Sequence, residues 1–206
     1  MILPRFYPIL DTATAARFAI DPVDAAEQIV RAGARILQLR HKAFWSRETV
    51  EILERIAALC GDSGVLFVVN DRADLARLMG AGVHLGQEDL LPSAVRPIVG
   101  ARTPIGFSTH NESQLRAAAD EPADYLALGP IFGTMSKENP DPIVGVDGLR
   151  LLRPLTTRPM VAIGGITRAN VSEVFAAGAD SVAVISDLFP DVEAQTEEWV
   201  STTKAR

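Results

Sequence analysis

Charged and polar side chains follow several short apolar runs of this 206-residue chain. Arg40 and Lys42 are cations of this kind, and Asp71 and Asp89 are carboxylates. Cations alone would suit a simple anion site, whereas carboxylates alone would suit a metal ion. Both together suit Mg²⁺ carrying a pyrophosphate, because Mg²⁺ binds carboxylates and phosphate oxygens while the cations balance the remaining charge. The alternative for Asp71 is structural: it would pair with Arg72 or place a negative charge at the start of a helix.

A second group of candidates lies in the loop after the apolar run Tyr125–Leu128. A Gly-Pro pair at 129–130 ends that run, because proline has no N–H to continue a sheet. The loop then carries two hydroxyls and a lysine, namely Thr134, Ser136 and Lys137. An ammonium beside hydroxyls and loop amides suits a phosphate or pyrophosphate. A solvated loop that happens to contain a lysine is the alternative.

The glycine pair Gly164-Gly165 is a further anion candidate. It lies between an apolar run and a helix predicted over Thr167–Ala177, so backbone N–H groups would approach a phosphate at the helix N-terminus. Ile185-Ser186, at the next strand end, would supply more amides to the same anion. The alternative is a tight turn that needs glycine for packing.

These candidates need a scaffold that brings strand ends together. Short apolar runs alternate with amphipathic segments, and several runs are continuously apolar, as in strands covered on both faces. The predicted strands are Phe6–Leu10, Ile36–Leu39, Val65–Val69, Val83–Leu85, Ile105–Phe107, Tyr125–Leu128, Met160–Ile163 and Ser181–Ile185. The predicted helices are Pro22–Ala32, Ser46–Leu59, Asp71–Met79, Leu91–Val99, Asn111–Ala119, Val146–Arg153, Thr167–Ala177 and Asp191–Lys204.

Eight strands with eight following helices predict one α/β domain over residues 1–206, a single (β/α)8 TIM barrel. In that fold the site lies at the C-terminal ends of the strands, where all the candidates above would meet. A doubly wound open sheet is the alternative, but no Gly-x-Gly-x-x-Gly follows the first strand to favour it.

Composition narrows the class of partner. The formal net charge is −6 and no basic tract stands out, which argues against a nucleic-acid partner. Cys60 is the only cysteine, so no intramolecular disulfide can form, and its apolar surroundings predict a buried small hydrophobe. We see neither a signal peptide nor an apolar run that would span a membrane, and therefore expect a soluble cytoplasmic protein with no membrane partner. The sequence leaves open whether the chain forms a homo-oligomer.

A series of short motifs marks the strand ends in order: Gln38-Leu39-Arg40-x-Lys42, Asn70-Asp71, Val83-His84-Leu85-Gly86-Gln87-Glu88-Asp89, Gly129-Pro130-Ile131-Phe132, Thr134-x-Ser136-Lys137, Ile163-Gly164-Gly165-Ile166 and Val184-Ile185-Ser186. Each motif alone has little specificity, but together they cover nearly the whole chain. In this order they resemble the thiamine phosphate synthase family.

The resemblance implies a reaction. The family condenses 4-amino-2-methyl-5-(diphosphooxymethyl)pyrimidine with 4-methyl-5-(2-phosphooxyethyl)thiazole, giving thiamine phosphate and pyrophosphate in a Mg²⁺-dependent dissociative substitution. It implies that Asp71 and Asp89 bind Mg²⁺. The pyrophosphate is implied to be bound by Asn70 and by four catalytic residues that stabilise it as it leaves, namely Arg40, Lys42, Ser108 and Lys137. Gln38 is implied near the pyrimidine. The groups implied at the thiazole phosphate are Thr134, Ser136 and the amides of Gly165, Ile185 and Ser186.

Two alternatives come from other functional classes. A thiazole tautomerase on the same fold would need an acid–base residue, for which His110 is the candidate, and no metal. A non-catalytic sensor of a phosphate ligand would not need the two carboxylates together with the lysines, since fold does not fix function. His84, within the fourth predicted strand, is interpreted as a packing or hydrogen-bonded histidine.

Overall fold

The computed structural model describes residues 1–133 and 141–204. The strands of this part are β1 (Phe6–Asp11), β2 (Ile36–Arg40), β3 (Leu66–Asn70), β4 (Gly82–Leu85), β5 (Ile105–Thr109), β6 (Tyr125–Leu128), β7 (Met160–Ile163) and β8 (Ser181–Val184). Each strand pairs in parallel with the next, and β8 pairs with β1, which closes the barrel. The predicted (β/α)8 barrel is therefore confirmed, and the open sheet is excluded.

Helices follow the strands around the outside of the barrel. Within the described residues they are α1 (Thr12–Arg17), α2 (Pro22–Arg31), α3 (Arg47–Asp62), α4 (Ala73–Met79), α5 (Pro92–Val99), α6 (Glu112–Ala117), α7 (Gly145–Leu152), α8 (Val171–Ala176) and α9 (Val192–Thr203). Single 3₁₀ turns cover Ala118–Asp120, Arg153–Leu155 and Ser186–Leu188. None of the helices in the described ranges is both long and apolar enough to cross a membrane.

Local capping explains where several helices begin. The Asp21 side chain accepts hydrogen bonds from the backbone N–H groups of Val23 and Asp24, and Pro22 occupies the first turn. Ser46 caps α3 in the same way, because its hydroxyl accepts from the Thr49 N–H. Such side chains satisfy N–H groups that have no partner inside the helix. Both helices begin within one residue of their predicted starts.

Several helices differ from the prediction: α3 ends at Asp62 rather than Leu59, and α4 begins at Ala73 rather than Asp71. Two other differences have a local cause. Helix α1 was not predicted; it forms because the buried Asp11 caps it, accepting from the Thr14 N–H. Helix α8 begins at Val171 rather than at Thr167. The reason is that the Asn170 side chain accepts a hydrogen bond from the Thr167 N–H at 2.8 Å, which closes a separate turn ahead of the helix.

The apolar core has two parts, because successive strand residues point to opposite sides of the barrel wall. Inward-facing residues such as Ile36 and Val68 fill the barrel together with Tyr7 and Tyr125. The larger part lies between the strands and the helices, where Trp199 of α9 stacks on Phe6 with ring centroids 5.6 Å apart. Burial of each large apolar side chain contributes about 1.5–3 kcal/mol. The barrel interior is thus filled with side chains below the strand ends. A functional site is therefore expected at the mouth of the barrel, at the C-terminal ends of the strands.

Cys60 belongs to the outer part of the core, as predicted. It is fully buried, and burial raises the pKa of its thiol to about 12. The thiol is therefore protonated and inert at neutral pH.

Candidate active site

A cavity opens at the C-terminal ends of the strands. The predicted site residues that line it are Gln38, Arg40, Asn70, Ser108, Gly165, Ile185 and Ser186. His84 and His110 line it as well. Lys42, Asp71 and Asp89 form a group beside the cavity, as described below. Thr134, Ser136 and Lys137 lie outside the described residues.

Arg40, the last residue of β2, is held in place by a carboxylate that the sequence analysis did not select. Its Nη1 donates to Asp11 Oδ2 at 2.5 Å. Asp11 is only 4% exposed, and its other oxygen accepts from the Thr14 backbone N–H and hydroxyl at 2.8 and 2.7 Å. A carboxylate fixed by a helix start thus orients the guanidinium at the mouth. The sequence did contain a signal for Asp11, because this carboxylate directly follows the first apolar run, as the selected candidates follow theirs.

Gln38 and Asn70 form a second fixed pair on neighbouring strands. Gln38 Nε2 donates to Asn70 Oδ1 at 2.8 Å. The Asn70 Nδ2 group is buried and has no hydrogen-bond partner among the described residues. A buried donor without a partner costs about 1–3 kcal/mol. An acceptor oxygen on a bound ligand would remove that cost, so Asn70 offers a ready contact for an anion.

The carboxylates of Asp71 and Asp89 lie together, with Lys42 against them. Lys42 Nζ donates to Asp71 Oδ2 at 2.5 Å, and the Gly86 N–H donates to Asp89 Oδ2 at 2.6 Å. Burial raises the pKa of Asp89, and the neighbouring Asp71 raises it further, while the Gly86 N–H and Lys42 act in the opposite direction. Two like charges this close repel each other. A bound cation would relieve that repulsion.

One structural alternative for Asp71, a pair with Arg72, is wrong. Arg72 pairs with Asp74 rather than with Asp71, at 2.5 Å, and the start of α4 carries no side-chain cap. Asp71 instead lies outside the helix with φ of +63°, a conformation that is uncommon for a residue other than glycine. Its N–H donates to the His84 carbonyl at 2.8 Å, which ties the end of β3 to β4. Strained backbone of this kind clusters at functional sites.

The donor set fits a magnesium ion used with a substrate. Among the described residues, no group of three or more His, Cys, Asp or Glu side chains is placed to hold a metal. Mg²⁺ is usually held by one or two carboxylates and completes its shell with waters and phosphate oxygens. The Asp71–Asp89 pair meets that requirement, with cations beside it for the remaining phosphate charge.

The opposite side of the mouth is built from backbone. Gly164 and Gly165 have φ of +99° and +61°. A Cβ on Gly165 would lie 2.5 Å from the Gly133 carbonyl oxygen, so a side chain does not fit there. The helix after this turn begins only at Val171. The prediction that these glycines lie directly at a helix N-terminus is therefore wrong, and their own amides are the groups that an anion could meet.

His84 is hydrogen-bonded on both ring nitrogens, as the sequence interpretation of a satisfied histidine expected. Its Nε2 lies 2.9 Å from Ser108 Oγ, and its Nδ1 lies 3.2 Å from the Tyr125 hydroxyl. The Tyr125 hydroxyl in turn lies 2.7 Å from that of Tyr7. A predicted site residue, Ser108, is thus the end of a chain of polar groups that reaches into the barrel.

His110 also reaches the cavity. Its Nδ1 lies 2.6 Å from the Gly129 carbonyl oxygen, which can only accept, so Nδ1 carries a hydrogen. Its Nε2 lies 3.5 Å from Asp141 Oδ2. This ring is therefore oriented by the backbone and faces a carboxylate.

Comparison with known proteins identifies the family of this chain. The model of the family described as thiamine monophosphate synthase matches residues 6–188. A thiamine-phosphate synthase of Koribacter versatilis is 46% identical over 204 residues, covering 96% of this chain and 95% of that protein. A thiamine-phosphate synthase of Methanoregula boonei is 46% identical over 178 residues, covering 84% of this chain and 82% of that protein.

A solved structure agrees with these sequences. Thiamine phosphate pyrophosphorylase from Pyrococcus furiosus is 32% identical, with a TM-score of 0.86 over 98% of this chain and 96% of that one. The family match spans all eight strands, and the strand ends carry the cavity described above. The chain belongs to the thiamine monophosphate synthase family.

Proposed function

We propose that this protein joins 4-amino-2-methyl-5-(diphosphooxymethyl)pyrimidine to 4-methyl-5-(2-phosphooxyethyl)thiazole, forming thiamine phosphate and pyrophosphate. The observation that carries the proposal is the two-sided mouth. Carboxylates and cations from β2, β3 and the loop after β4 lie on one side, and a glycine turn lies on the other. The names of the relatives, thiamine-phosphate synthase and thiamine phosphate pyrophosphorylase, support the formation of thiamine phosphate.

The side-chain half would bind the diphosphate and stabilise it as it leaves. Arg40 and Lys42 offer charge-assisted hydrogen bonds to phosphate oxygens. Ser108 offers a neutral donor, as does the Asn70 Nδ2 group, which has no partner within the part of the chain that the structure describes. Because Arg40 is already oriented by Asp11, little reorganisation is needed as negative charge develops on the leaving group. Lys137 is proposed, from the sequence alone, to bind the same diphosphate.

Mg²⁺ is the proposed cofactor, held by Asp71 and Asp89. When bound, it would supply positive charge to the diphosphate oxygens. The chain itself contributes the two carboxylates, the Gly86 N–H that fixes Asp89, and Lys42, which Asp71 holds beside them.

The backbone half would hold the phosphate of the thiazole. Gly165, Ile185 and Ser186 line the cavity on that side, and successive peptide N–H groups can form an anion-binding site. Thr134 and Ser136 are proposed for this phosphate from the sequence. Gln38, fixed by Asn70, would face the pyrimidine. With both substrates held side by side, orientation supplies much of the rate.

An assay of the purified protein with both substrates tests the proposal. Thiamine phosphate and pyrophosphate are measured by mass spectrometry, with Mg²⁺ and with EDTA. We expect both products in equal amounts with Mg²⁺ and none with EDTA. Folded protein that forms no thiamine phosphate with Mg²⁺ would overturn the proposal. Isomerisation of the thiazole phosphate alone would then test the tautomerase alternative, in which His110 would act as acid or base.

A further inference from the structure

Four polar groups form a chain from the barrel interior to the cavity. Tyr7 Oη, Tyr125 Oη, the His84 ring and Ser108 Oγ are linked by contacts of 2.7, 3.2 and 2.9 Å. Tyr7 and Tyr125 are fully buried beneath the mouth, whereas Ser108 lines the cavity. Every group here can donate or accept, so the chain has two possible directions. The direction decides whether Ser108 presents a hydrogen or a lone pair to the cavity.

The buried end sets the direction. Burial raises the pKa of both tyrosines, so each remains a neutral phenol with one hydrogen to donate. Among the described residues, the Tyr7 hydroxyl has one hydrogen-bond partner, Tyr125 Oη. If Tyr125 donated to Tyr7, the Tyr7 hydrogen would be buried without an acceptor, which is costly. Tyr7 therefore donates to Tyr125.

The remaining bonds follow in order. Tyr125 receives from Tyr7, so its own hydrogen is directed to His84 Nδ1. An Nδ1 that accepts belongs to the neutral ring with its hydrogen on Nε2. That Nε2–H donates to Ser108 Oγ. The hydrogen of Ser108 is then left to point into the cavity, where it can meet an acceptor.

Gly106 of β5 supplies independent evidence that this contact is built into the barrel. Its φ is not positive, so backbone conformation does not require glycine. A Cβ at this position would lie 2.4 Å from the Tyr125 hydroxyl and 2.5 Å from His84 Nδ1. Glycine inside a strand often marks such a close approach. The missing side chain provides the space in which the phenol meets the imidazole.

We propose that Tyr125 is a positioning residue, which fixes His84 as the Nε2–H tautomer and thereby turns the Ser108 hydroxyl into a hydrogen-bond donor toward the bound anion. With the opposite direction, Ser108 would present lone pairs to that anion and repel it. The identity of the anion as the diphosphate rests on the proposed function. The tautomer of His84 and its cause do not depend on the proposed function.

The tautomer can be measured directly by ¹⁵N NMR of histidine-labelled protein, at a pH where the rings are neutral. The chain has three histidines, and loss of signals in His84→Gln assigns the ring in question. We expect the Nε2–H form of His84 in the wild type and in Tyr7→Phe, because Tyr125 can still donate only to His84 there. In the double variant Tyr7→Phe with Tyr125→Phe, which leaves no orphaned phenol, we expect a mixture or the Nδ1–H form. An Nδ1–H wild type, or a double variant identical to wild type, would overturn the proposal.

Kinetics test whether Tyr125 acts through Ser108. The double variant should lower kcat/KM for the diphosphate substrate about tenfold relative to Tyr7→Phe, as expected for a lost hydrogen bond to a charged group. The same change made in a Ser108→Ala background should have no further effect, because the two residues act as one unit. Additive losses would overturn the assignment. If the wild type made no thiamine phosphate, the proposed function would fail while the NMR result still decided the tautomer.

Discussion

The two sides of the mouth offer a ligand different kinds of group. The first, formed by β2, β3 and the segment after β4, uses charged side chains that are paired before any ligand arrives: Arg40 with Asp11, and Lys42 with Asp71. The second uses backbone at Gly164 and Gly165, where the chain packs too closely for a Cβ. Charged side chains can hold a metal ion and balance the charge of a leaving group, whereas peptide N–H groups can hold a phosphate without a charged partner. On the proposed function, the first side would bind the leaving group and the second side would bind the phosphate that stays in the product.

The largest expected effect comes from the carboxylate pair. Asp89→Asn should lower kcat about 10²–10³-fold, as for loss of a major electrostatic contact in a transition state. Its stability at neutral pH should not fall. Because the folded pKa of Asp89 is raised, its ionised form disfavours the fold above its ordinary pKa, and the amide removes that penalty. Steady-state kinetics and thermal unfolding measure the two effects.

Asp74→Asn is the matched control for that variant. Its pairing with Arg72 lowers the pKa of Asp74, so the carboxylate stabilises the fold above its ordinary pKa of 3.8 and loses that contribution as pH falls through the lowered value. This variant should therefore lose stability at neutral pH and keep its activity. Equal losses of activity in the two variants would contradict the assignment of Asp89 to the metal.

A smaller effect is expected on the backbone side. Gly165→Ala should raise the KM for the thiazole phosphate about tenfold and leave that for the diphosphate unchanged, because the new Cβ would displace the turn from Gly133. Gly80→Ala is the control for backbone strain. Gly80 has φ of +64°, close to the +61° of Gly165, but a Cβ there has open space. Similar KM values in both variants would show that close packing at Gly165 is irrelevant to the site.

The smallest effect is expected where one side chain orients another. Asp11→Asn keeps an oxygen to cap α1 but removes the charge opposite Arg40. We expect a loss of about 1–3 kcal/mol in unfolding free energy, and a severalfold rise in KM for the diphosphate. Glu112→Gln, in an exposed pair with Arg116 four residues on, should cost about 0.5 kcal/mol or less in urea unfolding and leave KM unchanged. Unchanged KM in Asp11→Asn would contradict the orienting role.

The sequence predicted the barrel because eight apolar runs alternate with helical segments, and closure of the sheet then places their ends together. It also selected Asp71 and Asp89, which the fold brings side by side although 18 positions separate them. What the sequence could not predict was which polar groups pair. The contacts of Arg40 with Asp11 and of His84 with Tyr125 depend on strand register around the barrel.

Two further residues illustrate the limit of prediction from sequence. Asp11 had the same strand-end position as the chosen candidates, but its burial and its cap of α1 appear only once the chain is folded. The first residue of α8 depended on the side chain of Asn170. Its hydrogen bond with the Thr167 N–H outweighed the helical sequence pattern of this segment. In both cases a local hydrogen bond decided the outcome, and composition carries little information about such a bond.

The central claim is that each side of the mouth binds its own phosphate. Calorimetric titrations of pyrophosphate with Mg²⁺, and of the thiazole phosphate, into Asp89→Asn and Gly165→Ala test it most directly. We expect Asp89→Asn to lose pyrophosphate affinity and keep that for the thiazole phosphate, and Gly165→Ala to show the reverse. If each variant weakened both ligands equally, the two sides would not be separate sites and the account would be wrong.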